Sequence, residues 1–249
     1  MVVQAMNPPV IQAQGLSKRF VNNEVFNDIN LSVNKGKSLA IIGGSGQGKS
    51  VLLKCLVGLM QPDTGKILFD GEPLQGKHIQ KFFDSFGIVF QGAALFDSIP
   101  VWENISFKFK YSGTHSIKAR RKIASQKLDL VGLPSSNLDL YPSELSGGMQ
   151  KRVGIARAIA TEPKILFFDE PTSGLDPITS NTINNLIRFI IKELGSTAIT
   201  ISHDLNSIRT IADDIVLLHK RKIEWSGSID TFEKTKNINI REFIKPSST

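Results

Sequence analysis

The sequence has 249 residues, of which 41% are hydrophobic and 21% are charged, and its net charge is +7. This length and apolar content suit one or two folded domains and exclude a disordered or fibrous chain. The single cysteine excludes an internal disulfide and indicates a reducing compartment. No apolar run approaches the roughly 18 residues of a membrane-spanning helix, and residues 1–10 have no signal-peptide pattern, so we expect a soluble intracellular chain.

The positive charge is concentrated in one segment, residues 104–128, which contains seven basic residues and no acidic one. Outside it, basic and acidic residues are equal in number. The seven are Lys108, Lys110, Lys118, Arg120, Arg121, Lys122 and Lys127. A basic chain suggests nucleic-acid binding, but a local excess also suits an anionic membrane surface or a solvated face without a partner.

In chain order, the first half of the sequence predicts strands and one apolar helix. The predicted strands are residues 10–20, 25–33, 38–42, 66–69 and 86–90. Ile29, Leu31 and Val33 keep the two-residue period of a half-buried strand, and the continuous apolar run 38–42 is typical of a fully buried one. The helix begins at about Lys49 and is apolar on nearly every side, so we expect it to be buried all round.

The second half alternates strands with helices. Residues 92–160 are predicted as helix and loop, and a helix from Thr179 has the spacing of one apolar face. The remaining predicted strands are residues 165–168, 196–201, 215–218 and 222–225, the last two forming a hairpin before a short helical tail. This alternation predicts an α/β fold with a helical insertion.

Residues 43–50, GGSGQGKS, match the phosphate-loop pattern GxxxxGK[ST] between a predicted strand and a predicted helix. Glycines let the backbone wrap an anion with its N–H groups directed inward, and the helix N-terminus adds its positive dipole end. Lys49 would reach the β- and γ-phosphates of a nucleotide, and Ser50 would bind Mg²⁺. The predicted nucleotide-binding residues are Gly43, Gly44, Ser45, Gly46, Gln47, Gly48, Lys49, Ser50 and Val51.

The apolar strand at residues 165–168 ends in two carboxylates, Asp169 and Glu170. Asp169 would hold the Mg²⁺ shell, and Glu170 is placed to polarise the attacking water. An apolar strand that ends in Asp-Glu is a weak signal alone, but it is the expected partner of a phosphate loop.

Residues 145–150, LSGGMQ, lie between these motifs, and with them the chain resembles the nucleotide-binding subunits of ABC transporters. The resemblance covers nearly the whole sequence. It implies a P-loop NTPase fold of the ABC type, with a RecA-like core, an N-terminal antiparallel β subdomain and a helical subdomain. Met149 stands where that family usually has Gln, and the anion-facing Ser-Gly-Gly is unchanged.

Four further positions match this family's pattern. Phe20 stands where an aromatic ring stacks on adenine, and Gln91 matches the Q-loop glutamine, which senses Mg²⁺ and relays nucleotide occupancy to the membrane partner. Residues 173–176 match the D-loop, whose Asp176 couples two sites across a dimer. His203 matches the switch histidine, which holds the γ-phosphate and orients Glu170.

The resemblance also implies a homodimer, with ATP held between two head-to-tail subunits. Ser146, Gly147 and Gly148 begin a helix and would present its N-terminus to the γ-phosphate bound by the other subunit. The expected cofactors are ATP and Mg²⁺, with Ser50, Gln91 and Asp169 as metal ligands.

The expected organisation is a single ABC ATPase domain over residues 10–245, followed by a short tail at 227–249 that overlaps its end. The RecA-like core and β subdomain cover about 10–91 and 160–226. The helical subdomain covers about 92–159.

Three stretches are similar to one branch of the family, the ATPase subunits of Mla-type phospholipid transporters and their Mce-associated relatives. They are residues 90–96, 145–152 and 176–178. This resemblance implies an ATP-hydrolysing subunit on the cytoplasmic face of the inner membrane, where it powers phospholipid transport between membranes. Its implied partners are membrane permeases, an Mce-domain lipid-binding protein and a small STAS-domain protein.

Two other functions stay open from the sequence. The chain can serve another ABC importer or exporter, for example one for polar amino acids. A nucleic-acid-acting ABC ATPase is a further alternative, although the basic residues lack accompanying aromatics and no recognition motif is present, so no nucleic-acid partner is expected. In the ABC architecture the basic segment belongs to the helical insertion, which faces the permease and the anionic leaflet.

Overall fold

A computed structural model describes residues 8–21, 23–113 and 115–244 of the chain. The chain forms two compact units. Of the described residues, those up to 83 and from 212 onward form the first unit, and those from 84 to 211 form the second. The prediction that residues 1–10 are not a signal peptide falls mostly outside the described residues, as does the end of the predicted tail, residues 245–249. The predicted domain boundaries stay a prediction.

The strands and helices are numbered in chain order. The strands are β1 (Ile11–Phe20), β2 (Asn23–Val33), β3 (Ser38–Ile42), β4 (Thr64–Phe69), β5 (Glu72–Pro73), β6 (Phe86–Val89), β7 (Ile165–Asp169), β8 (Thr197–Ile201), β9 (Asp214–His219) and β10 (Lys222–Ser228). The helices are α1 (Lys49–Leu56), α2 (Lys77–Ser85), α3 (Val101–Ile105), α4 (Phe107–Ser112), α5 (Ile117–Leu130), α6 (Gly147–Ala158), α7 (Pro177–Leu194), α8 (Leu205–Ile211), α9 (Ile229–Phe232) and α10 (Ile238–Ile244).

The first unit contains an antiparallel sheet with the strand order β2-β1-β4-β5. In β2 the residues Ile29, Leu31 and Val33 are buried and those between them are exposed, as the period of two predicts. The same unit contains the run β10-β9-β3, in which β3 and β9 are parallel and β9 and β10 form the predicted hairpin.

Helix α1 buries Leu52, Leu53, Cys55 and Leu56, but the expectation that it is buried all round is wrong. Ser50 and Lys54 are exposed within the helix. Beyond its end, Leu59 is 59% exposed. The helix stops because Gly58 adopts a left-handed conformation with φ 74°, so the apolar sequence continues after the helical period has ended.

Cys55 is expected to resist alkylation in the folded protein. Its side chain is fully buried, and burial raises the pKa of the thiol to about 11, so almost no reactive thiolate is present at pH 8. Iodoacetamide at pH 8, followed by intact mass measurement, should leave the native chain unmodified and add one label after denaturation. Rapid labelling of the native chain would contradict the burial.

The second unit contains the parallel run β8-β7-β6, with β7 at its centre. Residues 165–168 of β7 are buried, and only its last residue, Asp169, is partly accessible. Helix α7 packs Ile183, Ile187 and Ile190 into an apolar core that also contains residues of α3, α5 and α6. The α/β prediction and the helical nature of the middle segment are therefore confirmed.

Helix α2 lies outside the predicted elements. Its apolar residues Ile79, Phe82 and Phe83 have the spacing of one helical face, and Phe82 is fully buried. The helix is not predicted because basic residues interrupt this short pattern, which therefore contains no continuous apolar run.

Three of the seven basic residues in the segment 104–128 form ion pairs with carboxylates of the same unit. Arg121 makes a two-pronged ion pair with Asp139, with N–O distances of 2.6 and 2.7 Å. Lys127 pairs with Glu162 at 2.9 Å, and Lys110 with Glu103 at 3.2 Å.

Two arginines of the segment also pack against an aromatic ring. The Arg120 and Arg121 guanidinium carbons lie 5.1 and 5.3 Å from the centre of the Trp102 ring, and Arg120 is buried. Lys118 and Lys122 have exposed side chains. Part of the segment therefore packs within the helical region, and four of its seven basic residues, Lys108, Lys110, Lys118 and Lys122, are exposed.

Along the described stretches of the chain, no helix combines the length and the apolar character that membrane crossing requires.

Candidate nucleotide-binding and hydrolytic site

The phosphate loop, residues 43–50, leads from β3 into α1, as predicted. Gly43 has φ 153°, and a Cβ there would lie 2.3 Å from the carbonyl oxygen of Leu218. Gly48 has φ 92°, and its Cβ would lie 2.6 Å from a methyl carbon of Val25. Neither position accepts a side chain, so these two glycines are required by the close approach of the loop to its neighbours.

Lys49 curls over this loop and donates to the carbonyl oxygens of Gly43 and Gly44 at 2.8 and 2.9 Å. The Gln47 amide oxygen accepts from the Lys220 backbone N–H at 3.0 Å, which fastens the loop to the turn after β9. The Lys49 ammonium group is thus held at the loop by these two carbonyl oxygens. A bound phosphate anion would replace them as its partner.

Phe20 ends β1 with 43% of its surface exposed, and the Lys18 ammonium lies 5.5 Å from its ring centre. An exposed ring face is available for stacking on a planar base. Val51 is partly buried in the first turn of α1. The first unit therefore holds all the residues predicted for the phosphate loop and the adenine.

Glu170 and His203 form a close pair in the second unit. The His203 Nδ1 atom lies 2.9 Å from Glu170 Oε1 and 2.8 Å from Oε2. The carboxylate side chain is 15% exposed and the imidazole is 67% exposed. A carboxylate that is partly shielded and fixed by a neighbouring imidazole is a suitable base for an attacking water.

The backbone holds Glu170 in an unusual conformation. Its φ is 50°, and its N–H donates to the Ile201 carbonyl oxygen at 3.0 Å, at the end of β8. A cavity of about 460 Å³ lies beside Glu170 and His203 and is lined by D-loop residues and by the first turns of α7. Left-handed backbone at a non-glycine residue is concentrated at functional sites.

The signature residues begin α6. Ser146 caps the helix, and its hydroxyl accepts from the Met149 N–H at 3.3 Å. Gly147 and Gly148 are the first helical residues, and a Cβ on Gly148 would lie 3.0 Å from a Thr179 methyl carbon. The glycines therefore let this N-terminus lie against the start of α7.

The D-loop and Q-loop residues meet in the same unit. The Asp176 carboxylate caps α7 and accepts from the Ile178 and Thr179 N–H groups at 3.0 and 2.9 Å. Hydrogen bonds, first of all from the Thr179 side chain, hold the pKa of Asp176 below its usual range. Gln91 donates from its amide nitrogen to the Ser173 hydroxyl at 3.0 Å.

The second unit thus brings Glu170 into contact with His203, and Gln91 into contact with the D-loop, although these motifs are far apart in the sequence. Sequence reasoning missed the Ser173 contact with Gln91 and two basic residues of α6, Lys151 and Arg157, that donate to the Q-loop backbone. The sequence does contain a pattern that could have identified the two basic residues. Lys151, Gly154 and Arg157 are spaced three residues apart and so share one face of α6.

A glycine-wrapped phosphate loop with its lysine, and a helix that begins with Ser-Gly-Gly, define a P-loop ATPase with a signature helix. Residues 26–173 match the sequence profile described as "ABC transporter". The chain belongs to the ABC transporter family, as an ATP-binding subunit that hydrolyses ATP.

Similar proteins carry several transport assignments. The chain is 35% identical to the intermembrane phospholipid transport system ATP-binding protein MlaF of Haemophilus influenzae, over 98% of this chain and 93% of that protein. It is 34% identical to a probable ribonucleotide transport ATP-binding protein, mkl, of Mycobacterium leprae, over 94% of this chain and 68% of that protein. It is 39% identical to a methionine import ATP-binding protein, MetN 1, of Acinetobacter baylyi, over 89% of this chain and 64% of that protein.

Solved structures share the fold. The ATP-binding cassette MJ0796, in a dimeric post-hydrolysis state bound to ADP and Pi, is 30% identical with a TM-score of 0.78 and covers 88% of this chain and 98% of its own. CbiO1 of Clostridium perfringens is 31% identical with a TM-score of 0.82, covering 92% of each chain. The predicted fold, an ABC-type P-loop NTPase with its RecA-like core and β and helical subdomains, is confirmed, as is the resemblance to Mla-type ATPases.

Proposed function

We propose that this chain is the ATPase subunit of a transporter that moves phospholipids between membranes. One observation carries this proposal: the similarity to a phospholipid transport ATPase extends over nearly the full length of both chains. The match to the methionine import relative is higher in identity but covers less of that relative. Import of a small polar solute is therefore the second candidate function.

We propose the following roles in ATP hydrolysis. The phosphate loop and Lys49 bind the β- and γ-phosphates, and the exposed Phe20 ring stacks on adenine. Glu170 accepts the proton of the attacking water, and His203 holds Glu170 in place and contacts the γ-phosphate.

Mg²⁺ is the proposed companion of ATP. When bound, it neutralises charge on the phosphates of the nucleotide. The donors available are oxygens: the hydroxyl of Ser50 at the start of α1, the carboxylate of Asp169 at the accessible end of β7 and the Gln91 amide oxygen. Such a set fits a hard cation. In the described conformation the Gln91 amide nitrogen is already bonded to Ser173, which fixes the direction of its amide plane.

We propose that the subunit acts as a homodimer. Ser146, Gly147 and Gly148 would face the γ-phosphate bound by the second copy, and Asp176 would link the two sites. The Ser146 hydroxyl and the Asp176 carboxylate cap their own helices, so their contribution is to orient the helix N-termini at the interface.

The second unit offers a surface for the permease. A largely apolar hollow of about 640 Å³ lies beside the Q-loop and is lined by Phe86, Phe90, Phe96, Phe107 and the Lys108 stem, among others. Phe96 is 43% exposed and stacks on Phe107 with ring centres 4.3 Å apart. A partly exposed aromatic pair suits an apolar permease segment, and its position would hold the subunit on the cytoplasmic face of the inner membrane. An Mce-domain protein and a STAS-domain protein are proposed as further members of the complex.

The test is affinity purification of the tagged chain from detergent-solubilised membranes of its own cells, with mass spectrometry of proteins and lipids. Recovery of a permease together with an Mce-domain protein and phospholipid is expected. An amino-acid permease with its solute-binding protein would overturn the phospholipid assignment, and stimulation of the ATPase by nucleic acid would overturn transport.

A matched pair of variants adds a check on the docking surface. Phe96→Asp lies in the hollow, whereas Phe189→Asp lies on α7 at a similar exposure of 48%. Loss of the permease from the first variant alone is expected, and equal recovery of the permease with both would rule out the hollow as its docking site.

A further inference from the structure

We propose that Lys151 and Arg157 of α6 are positioning residues for hydrolysis, which clamp the Q-loop backbone so that Gln91 moves together with the signature helix. The inference rests on the proposed role of Gln91 in the ATPase cycle. Neither basic residue belongs to the phosphate loop, the signature or the Glu170–His203 pair.

The Q-loop needs an external constraint. Ala93 and Ala94 both have positive φ, 59° and 50°, a conformation that L-residues with a Cβ avoid. Two such residues in succession persist only where surrounding contacts hold them. Within the loop itself, the Ala93 N–H donates to the Phe90 carbonyl oxygen at 3.0 Å.

The carbonyl groups of this strained turn point at α6. Arg157 uses its two terminal nitrogens separately, donating to the Ala93 carbonyl at 2.8 Å and to the Ala94 carbonyl at 2.7 Å. Lys151 donates from its ammonium group to the Gln91 carbonyl oxygen. Three carbonyls of four successive residues are therefore bonded by cationic donors of one helix, and charged donors make the stronger hydrogen bonds.

The contact face on α6 is built for close approach. Lys151, Gly154 and Arg157 are three residues apart and lie on the same side of the helix. A Cβ on Gly154 would lie 3.3 Å from the Ala93 Cβ, a tight contact, so a side chain there would press the loop away from α6. Lys151 is 6% exposed, and the Arg157 guanidinium also covers the Phe96 ring at 5.8 Å.

The clamp connects the signature with the hydrolytic residues. Gln91 is held at its backbone by α6, and its side chain donates to Ser173 of the D-loop. Burial lowers the pKa of Lys151, while the negative charge of Glu170 acts in the opposite direction. A shift of α6 on dimer formation would therefore move Gln91 directly.

The chain provides a matched control. Arg152 lies on the same helix and likewise donates to two carbonyl oxygens, those of Val131 and Gly132, both at 3.2 Å, but neither belongs to the Q-loop. Arg157→Met and Arg152→Met remove the same charge and the same kind of contact from one helix. A difference between them is therefore specific to the Q-loop.

The full-length variants are compared by steady-state ATPase kinetics and by hydrogen exchange. We expect Arg157→Met and Lys151→Met to lower kcat about tenfold with KM for ATP nearly unchanged. The residues that bind ATP are untouched by these changes, whereas Gln91 is no longer held in position. Exchange of the Ala93 amide should become about tenfold faster in both. Lys151→Arg, which keeps a long cationic donor, should retain the parental values.

Arg152→Met should leave kcat and the Ala93 amide unchanged and should alter exchange only near residues 131–133. Equal kcat and exchange in Arg157→Met and the parent chain would overturn the clamp, as would equal losses in Arg157→Met and Arg152→Met. If the parent chain hydrolysed no ATP, the proposed function would fail, yet the exchange measurement would still decide the clamp.

Discussion

Glu170→Gln is expected to leave ATP binding intact and to slow ATP hydrolysis by about 10²- to 10⁴-fold, the usual contribution of a general base. The Gln side chain has nearly the same shape and keeps an oxygen acceptor for the His203 ring, which lies 2.9 Å from the parent carboxylate. It cannot accept the proton of water. The expected loss therefore lies in the chemical step and not in assembly of the site.

Single-turnover hydrolysis and equilibrium binding of ATP measure the two effects separately. Glu162→Gln is the matched control, because Glu162 also has φ 50° and forms an ion pair with Lys127 at the surface. The control should hydrolyse ATP at the parental rate. Near-parental hydrolysis by Glu170→Gln would exclude this residue as the group that polarises water.

The strands of this fold are predictable because burial and period are local properties of the sequence. The alternation in β2 and the apolar runs of β3 and β7 each correspond to an observed strand. The phosphate loop is predictable for a related reason, since two of its glycines, Gly43 and Gly48, are required by close contacts with Leu218 and Val25. Motif spacing therefore carries information about backbone conformation as well as chemistry.

The extent of the buried surface is less predictable. Leu59 belongs to the same apolar run as Leu52 and Leu56, but it follows Gly58, where the helix has already stopped. A count of apolar residues does not locate that stop. In the same way, α2 carries a regular apolar face that is too short and too interrupted by polar residues to register as a run.

The basic segment shows why charge counts over a window mislead. Its pairing partners lie outside the window: Asp139 is 18 residues from Arg121, and Glu162 is 35 residues from Lys127. Trp102, which the two arginines cover, also precedes the segment. The expectation of a membrane-facing cationic surface therefore rests on exposed lysines such as Lys108, Lys118 and Lys122. Surface charges of this kind contribute about 1 kcal/mol each near an anionic leaflet.

Within the candidate site, the motif residues are predictable from the sequence, but the contacts that hold the Q-loop backbone in place are not. Glu170 and His203 are identified by their positions at the ends of strands, and the structure brings them into contact. The positive φ angles of Ala93 and Ala94 have no signature in side-chain chemistry, because alanine normally avoids this region. Donors of α6, which lie about 60 residues further along the chain, hold these residues in place.

Lys49→Ala is expected to weaken ATP binding by about 100-fold, within the range found when one partner of a buried charge pair is removed. The Lys49 ammonium group is held over the phosphate loop by the Gly43 and Gly44 carbonyls, at 2.8 and 2.9 Å. Without it, the loop keeps its inward N–H groups but loses the charge that compensates the phosphates. Calorimetric titration with ATP and ADP measures this loss.

Lys54→Ala is the control for this change, because Lys54 lies five residues further along α1 and is exposed. It should bind ATP as the parent chain does. A second variant, Lys49→Met, keeps the length of the side chain without its charge and should bind ATP as weakly as Lys49→Ala. Parental affinity in either Lys49 variant would refute the assignment of this lysine to the phosphates. Tight binding by Lys49→Met alone would mean that the stem shapes the loop and that the charge is not needed.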